Sequence, residues 1–380
     1  MAAYTVVVAR GSDFKNWQEK RLDLAIVNNG ESKILLDESA YAFEDFLLDY
    51  GRVYDDAAEH AKREAIFYEN LNTIVEHNNN RLKTAKNDRG GHALGVNVLA
   101  DRRAKELHMG YDKYQRSHLQ YQTGGHTASV SRRLVAEDDI EKRLSIQIEK
   151  VNDLPQHVDW RTKGVATPVK SQGMCGSWWA FASTSVLESH IALQRGTLYE
   201  LSPQELMSCA PNRQHCGGTG GCVGATTELN FDLVRAKGIV QEWDLGYQDA
   251  HGGAVNCTLA RPNHKFTRND KQYFRGAVAG IADYAVLPSN NYTVLMNTVA
   301  KLGCRGFCIN QVSFMHPWIV VAGYGFRSYT WVVVLGGYGT DEETGEDYCL
   351  VCNSWGPKWG EKGKRRASGG HTFCLRLLLV

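Results

Sequence analysis

No apolar run in the sequence comes close to the ~20 residues a membrane-spanning helix needs. The longest candidates, 318–322 and 331–335, are strand-sized and each is followed by glycine. An excess of charge is also missing. Lys and Arg total 43 against 42 Asp and Glu, a net charge of +1, which gives no electrostatic reason to expect nucleic acid or an anionic membrane as partner. Proline is scarce, 8 in 380 residues, while glycine reaches 37, so the chain is rich in turns without reading as a low-complexity linker. A recognisable secretory leader is lacking. The apolar patch at 4–9 is followed by Arg10, Asp13 and Lys15, the reverse of the basic-then-apolar order such leaders show. The length leaves room for two or three domains.

Cysteine is present in useful amount. There are 10, and Cys209, Cys216, Cys222 and Cys257 fall within fifty residues, a density that indicates a disulfide framework and an oxidising compartment. Asn256-Cys257-Thr258 and Asn291-Tyr292-Thr293 have the form of glycosylation acceptors, a pattern that also arises by chance in polar loops. The cysteines and the missing leader point in opposite directions.

Along the chain, residues 1–38 show no strong period and read as an unassigned lead-in. Phe43, Phe46, Leu47 and Tyr50 then form one apolar helical face, closed by Gly51. A longer helix is expected from about 57 to 79. Within it Glu59, Arg63, Phe67, Asn70, Ile74 and Asn78 advance by steps of three or four, which keeps all six on one stripe. The run 95–101 alternates like a strand. Residues 106–150 are polar, with basic pairs at 132–133 and 142–143, and read as an exposed, cleavable connector. A globular region follows from about 151 to 380. It is helical first, with Ala180, Thr184, Leu187 and Ile191 on one side of a helix starting near Trp178. It is strand-like later, at 278–281, 318–322, 331–335 and 348–351. That change argues for two lobes with a cleft between them.

Three segments carry a family resemblance. The stripe Glu59, Arg63, Phe67, Asn70, Ile74, Asn78 is similar at every position to the signature helix of cathepsin-type propeptides. Gly95-x-Asn97-x-Leu99-x-Asp101 is similar to the strand that follows it there, with leucine in place of phenylalanine. Residues 154–161 leading into Gln172-Gly173-Met174-Cys175-Gly176-Ser177-Trp178-Trp179-Ala180-Phe181 resemble the start of mature papain-like cysteine proteases. The matches at 201–206 and 353–360 extend the resemblance over about 42–362. It implies an α+β, two-lobed papain-like fold behind a helical propeptide domain at 39–105 that plugs the cleft. It also implies a cathepsin L-like endopeptidase made as a zymogen, monomeric, without cofactor or metal. The expected partners are protein or peptide substrates or active relatives, in a lysosomal, vacuolar or extracellular setting.

Such chemistry needs a thiol whose pKa is lowered by a helix N-terminus and an imidazolium, an Asn to orient the imidazole, and a Gln at the oxyanion. The resemblance assigns the Gln to Gln172 and the Asn to Asn353, shielded by Trp355 and Trp359. It places a substrate groove beside Gly224, Ala225 and Trp355, and pairs Cys175 with Cys222 and Cys209 with Cys257. The nucleophile position, however, holds Trp178, and an indole has no ionisable nucleophile near neutral pH. Ser177 precedes that position and is expected to aim elsewhere.

The imidazole is missing from its place as well. Counting six residues back from Gly337-Tyr338-Gly339 gives Trp331. The near-repeat at 319–325 offers His316 instead, one residue out of register. Stretches 303–330 and 363–380 match the family poorly. Intact motifs beside unmatched stretches fit a decayed gene copy or a faulty gene reading better than a redesigned site. Cys304 and Cys308 could pair or bind a metal, but no second ligand pair with zinc-like spacing accompanies them. The basic run 362–366 reads as a solvated strand end. Three readings stay open: a protease by descent that is inactive as written, a non-catalytic inhibitor or peptide binder, and an active enzyme with a misread codon at 178.

Overall fold

The structure is a computed structural model. It describes residues 3–7, 26–29, 32–35, 41–84, 93–103, 106, 140–253, 255–259, 266–268, 271–287, 291–303, 305–309, 331–340, 347–357, 364–368 and 377–379.

The N-terminal module is built from helix α1 (Phe43–Tyr50), helix α2 (Ala57–Thr84) and a strand at Ala93–Leu99. Phe43 and Phe46 of α1 meet Phe67, Leu71 and Ile74 of α2 over Val96, all buried. The i, i+3, i+4 spacing read from the sequence therefore describes the face that makes this core. The lead-in is where the expectation needs correcting. Strands β1 (Ala3–Val7), β2 (Ile26–Asn29) and β3 (Ser32–Leu35) join the strand at 93–99, β4, in a sheet of order β1-β4-β3-β2. Segments of four or five residues are too short for alternation to rise above chance; β2 and β3 pair as neighbours, while β1 and β3 find their partner β4 far along the chain.

Between the modules the connector is not wholly free. A short helix, α3 (Ile140–Leu144), is followed by a segment whose Glu149 exchanges backbone bonds with the Asn297 side chain, at 2.9 and 2.8 Å. Lys301 adds an ion pair to the Glu149 carboxylate at 2.7 Å.

The helical lobe consists of α4 (Trp178–Arg195), α5 (Pro203–Cys209) and α6 (Thr227–Lys237). Helix α4 is buried on nearly every side, Trp178 through Ala192 with few exceptions, so it is the central element of that lobe. Helix α5 starts with Ser202, whose hydroxyl accepts from the Glu205 N–H, and has Pro203 in its first turn, a strong local start signal.

The second lobe is β-rich. After the short strand β5 (Val158–Asp159) and the hairpin β6 (Phe266–Arg268) and β7 (Lys271–Tyr273) come β8 (Ala285–Val286) and helix α7 (Tyr292–Leu302). Strands β9 (Arg305–Ile309), β10 (Trp331–Thr340), β11 (Asp347–Cys352), β12 (Lys364–Ser368) and β13 (Leu377–Leu379) complete an antiparallel sheet of order β12-β11-β10-β9-β13-β8. The basic run falls at the edge strand β12, where lysine and arginine discourage further pairing. Strand β5 crosses β10 at Gly337, and a Cβ there would lie 2.0 Å from the Val158 carbonyl oxygen. Only glycine admits that crossing. Residues 278–281 are not a strand: Ala279 makes an isolated bridge to Ile239. Residues 318–322 lie outside the described residues. No described helix is long and apolar enough to cross a membrane.

Candidate active site

The expected site lies where the loop before α4 meets the chain after β11. Gln172 N–H donates to the Ser354 carbonyl at 2.9 Å, and Ser171 bridges Trp355. The two lobes are thus stitched by backbone beside Gln172 and Asn353. The loop turns at Gly173 (φ 61°), where a Cβ would lie 2.3 Å from the Ala250 carbonyl oxygen. The same oxygen accepts from Met174 N–H at 2.7 Å. Cys175 is bonded to Cys222, and Cys209 to Cys257. With the Gly176 N–H donating to the Cys222 carbonyl, the loop is held on both sides before the helix begins.

Trp178 is the first residue of α4 and is 3% exposed. Its Nε1–H is buried without an acceptor among the described residues. An unpaired buried donor costs about 1–3 kcal/mol, so the indole is held by packing: it belongs to the core cluster with Cys175, Trp179 and Ala182. The helix N-terminus would stabilise a thiolate; here it meets an apolar ring.

Ser177 offers no replacement. Its hydroxyl is buried and lies 2.8 Å from Tyr247 Oη, which in turn donates to the Gln172 carbonyl at 2.8 Å. Tyr247 has one proton and spends it on Gln172, so Ser177 must be the donor in the other bond. Burial holds the Tyr247 phenol well above its ordinary pKa, which keeps it a donor. No pattern in the sequence marked Tyr247 for this role.

Gln172 and Asn353 are both buried, and both side chains are occupied locally. Gln172 Nε2 donates to the Cys175 carbonyl at 2.8 Å, and its Oε1 accepts from Ser354 Oγ at 2.5 Å. Asn353 Oδ1 accepts from the N–H of the next residue at 2.8 Å, while its Nδ2 finds no partner among the described residues. The amide oxygen that should orient an imidazole is therefore turned to its own backbone. His316 and Trp359 lie outside the described residues. Trp331 begins β10, paired with Ile309.

Gly224 (φ 104°) accepts from Gly220 N–H at 2.9 Å, and Ala225 after it is fully buried. The exposed member of that segment is Val223, at 48%. A pocket does open along the seam between α4 and β10, lined by Pro168, Phe181, Ser185, Val334, Cys352 and Asn353. It lies behind Asn353, and none of Gln172, Trp178, Gly224 or Ala225 lines it. Among the described residues no group of His, Cys, Asp or Glu is arranged to hold a metal.

The propeptide signature forms one clamp. Arg63 Nε donates to Glu59 at 2.6 Å, and its Nη1 reaches the Asp101 carbonyl at 3.1 Å and Glu106 at 2.9 Å. Asn70 Nδ2 donates to the Ala100 and Arg102 carbonyls at 2.6 and 3.1 Å. Tyr54 donates to the buried Asp101 carboxylate. Phe67, Ile74 and Asn78 are buried, and so is Gly95 in β4. Of Asn97 only its place in β4 is described. The polar half of the stripe satisfies the backbone as it leaves β4, and the apolar half fills the core.

Comparison with known proteins agrees with this layout. The model of the papain family cysteine proteases matches residues 154–375, and that of the cathepsin propeptide inhibitor domain matches residues 43–107. The chain is 33% identical to oryzain beta chain of Oryza sativa subsp. japonica over 80% of its own length and 56% of that protein's. It is 31% identical to the probable cysteine protease RDL3 of Arabidopsis thaliana over 91% of its own length and 81% of that protein's. It thus spans little more than half of some curated relatives it matches and most of others. Among solved structures, digestive procathepsin L2 proteinase from Tenebrio molitor larval midgut superposes with a TM-score of 0.66 at 25% identity. That match covers 89% of this chain and 98% of the other. With both modules matched in this order, the chain belongs to the papain family of cysteine proteases, as a precursor carrying a cathepsin propeptide inhibitor domain.

Proposed function

We propose that this chain, with tryptophan at position 178, is a papain-family cysteine endopeptidase precursor by descent that does not hydrolyse peptide bonds. One observation carries this reading: the residue at the N-terminus of the central helix, where a nucleophilic sulfur is required, is a buried indole. In an intact relative the thiolate there would attack the peptide carbonyl, a histidine would protonate the leaving amine, and the counterpart of Gln172 would bind the oxyanion. Here Cys175 and Cys222 are consumed in a disulfide and Ser177 by Tyr247, so none of these three neighbours supplies a nucleophile.

The test is a fluorogenic dipeptide-amide assay on purified protein whose propeptide has been removed by an added protease, itself then inhibited, and whose residue 178 has been verified by mass spectrometry. No turnover above buffer is expected; turnover with tryptophan confirmed would end the proposal. Trp178→Cys followed by an epoxide inhibitor then measures how much of the site remains. Absence of labelling would show that the imidazole side is lost too.

A second reading has its own support: the propeptide clamp around Arg63 is fully assembled beside the altered site. A folded propeptide domain of this kind can occupy an active relative's cleft and inhibit it. Titrating the full chain against an active papain-family enzyme checks this, and unchanged activity at a large molar excess excludes it.

A further inference from the structure

We infer that Asn256 is an N-glycosylation site, and that of the two acceptor triplets in the sequence it alone carries a glycan. Asn256 and Thr258, the two positions an Asn-x-Thr acceptor must present, are both exposed. No hydrogen bond among the described residues engages the Asn256 amide. Between them, Cys257 is tied to Cys209 at the end of α5, so the triplet is fixed as a surface loop with its acceptor amide outward. The two disulfides place the chain in an oxidising compartment, the setting in which this modification occurs.

Asn291 is built differently. Its Oδ1 accepts from Val294 N–H at 3.1 Å as the cap of α7, and Tyr292 and Thr293 already belong to that helix. Both are only half exposed. In the folded chain this capping bond and the first turn of α7 hold the acceptor against the helix, so the triplet is not presented as an open loop in the way Asn256 is.

The donor is a lipid-linked oligosaccharide diphosphate. The Asn256 amide nitrogen forms a bond to C1 of the first sugar and loses one proton. The C1–oxygen bond breaks, and the lipid diphosphate leaves with the electron pair. Nothing is oxidised or reduced. The glycan would stand on the loop whose Ala250 carbonyl holds Met174 and whose Gly253 carbonyl lies 3.1 Å from Cys222 Sγ. That places it on the flank of the helical lobe beside the α4 entry loop.

The test is translation of the full chain behind a secretory leader in the presence of endoplasmic-reticulum microsomes, scoring only chains protected from added protease. One endoglycosidase-sensitive mobility step is expected. It should vanish in Asn256→Gln and persist in Asn291→Gln. Endoglycosidase sensitivity reads the sugar itself, so a variant that misfolds still reports whether its remaining acceptor carries a glycan. A protected chain with no step, a step that persists in Asn256→Gln, or two steps each removed by one substitution would overturn the assignment.

Discussion

At position 178 size and polarity act together. A cysteine there would be a small group at a helix N-terminus, whereas the indole adds a large apolar surface and a donor that finds no acceptor among the described residues. The packing gain from burying an aromatic ring outweighs one unmade hydrogen bond, which is why the ring sits inside. Two buried carboxylates in the same lobe show how differently one residue type can be treated. Glu188 is fully buried and receives Thr167 Oγ1 at 2.5 Å, Lys170 Nζ at 2.7 Å and Leu201 N–H at 2.8 Å. Glu188→Ala would strand the half-buried Lys170 ammonium and is expected to cost about 3–5 kcal/mol, measured as a fall in the urea midpoint. A loss near zero would mean that water already reaches Lys170.

Glu205 has no counter-ion among the described residues. One oxygen accepts from Val240 N–H at 2.7 Å, the other has no partner among the described residues, and burial raises its pKa from 4.5 to about 8. The unfolded chain releases this proton near pH 4.5 while the folded one keeps it to about pH 8. The folded state therefore binds the extra proton between those values, and stability falls as pH rises across that window. Glu205→Gln is expected to flatten the slope from pH 5 to 8, read from thermal midpoints at several pH values. An unchanged slope would place its cause elsewhere.

At the scale of elements, the stripe on α2 was legible because helix geometry is local: steps of three and four put Arg63, Asn70 and the apolar positions on one side whatever else the chain does. What they touch was not legible. Arg63 serves the Asp101 carbonyl and Glu106, some forty residues away, and only the fold brings these together. Arg63→Ala would leave that carbonyl without its guanidinium donor and Glu106 with only the Arg103 N–H and the more distant Lys62. Faster cleavage within residues 41–106 during limited proteolysis is expected, with the peptidase region cut at its usual rate. Equal rates throughout would show that the clamp does not hold the propeptide together. In the β lobe, Gly337→Ala would drive a methyl group into the Val158 carbonyl. Strand β5 must then leave β10, and amide exchange at 158–159 and 337–338 should rise well before that of β11. The strands at 3–7, 26–29 and 32–35 were not legible for the converse reason: 26–29 and 32–35 pair as a hairpin too short to show alternation, and the pairing of 3–7 and 32–35 with β4 is non-local.

For the whole molecule, the disulfides matter most where they span the chain. Cys175–Cys222 closes a loop of 47 residues, for which chain entropy alone predicts a stabilisation of about 4 kcal/mol. Cys222→Ser should lower the unfolding free energy by up to that amount and loosen the α4 entry loop. A change near zero would mean that the Gly176 and Met174 backbone bonds hold the loop unaided.

Taken alone, the sequence determined the family, the two-module order, the propeptide stripe and the tryptophan at position 178. Each of these is written in contiguous residues or in fixed local spacing. Tertiary structure decided the rest: that Trp178 is buried, that Gln172 and Asn353 turn their amides to nearby groups, and that Tyr247 claims Ser177. It also decided that β1 and β3 pair with β4. These outcomes depend on which distant groups compete for the same hydrogen bonds and the same space, and no spacing rule along one chain records that competition.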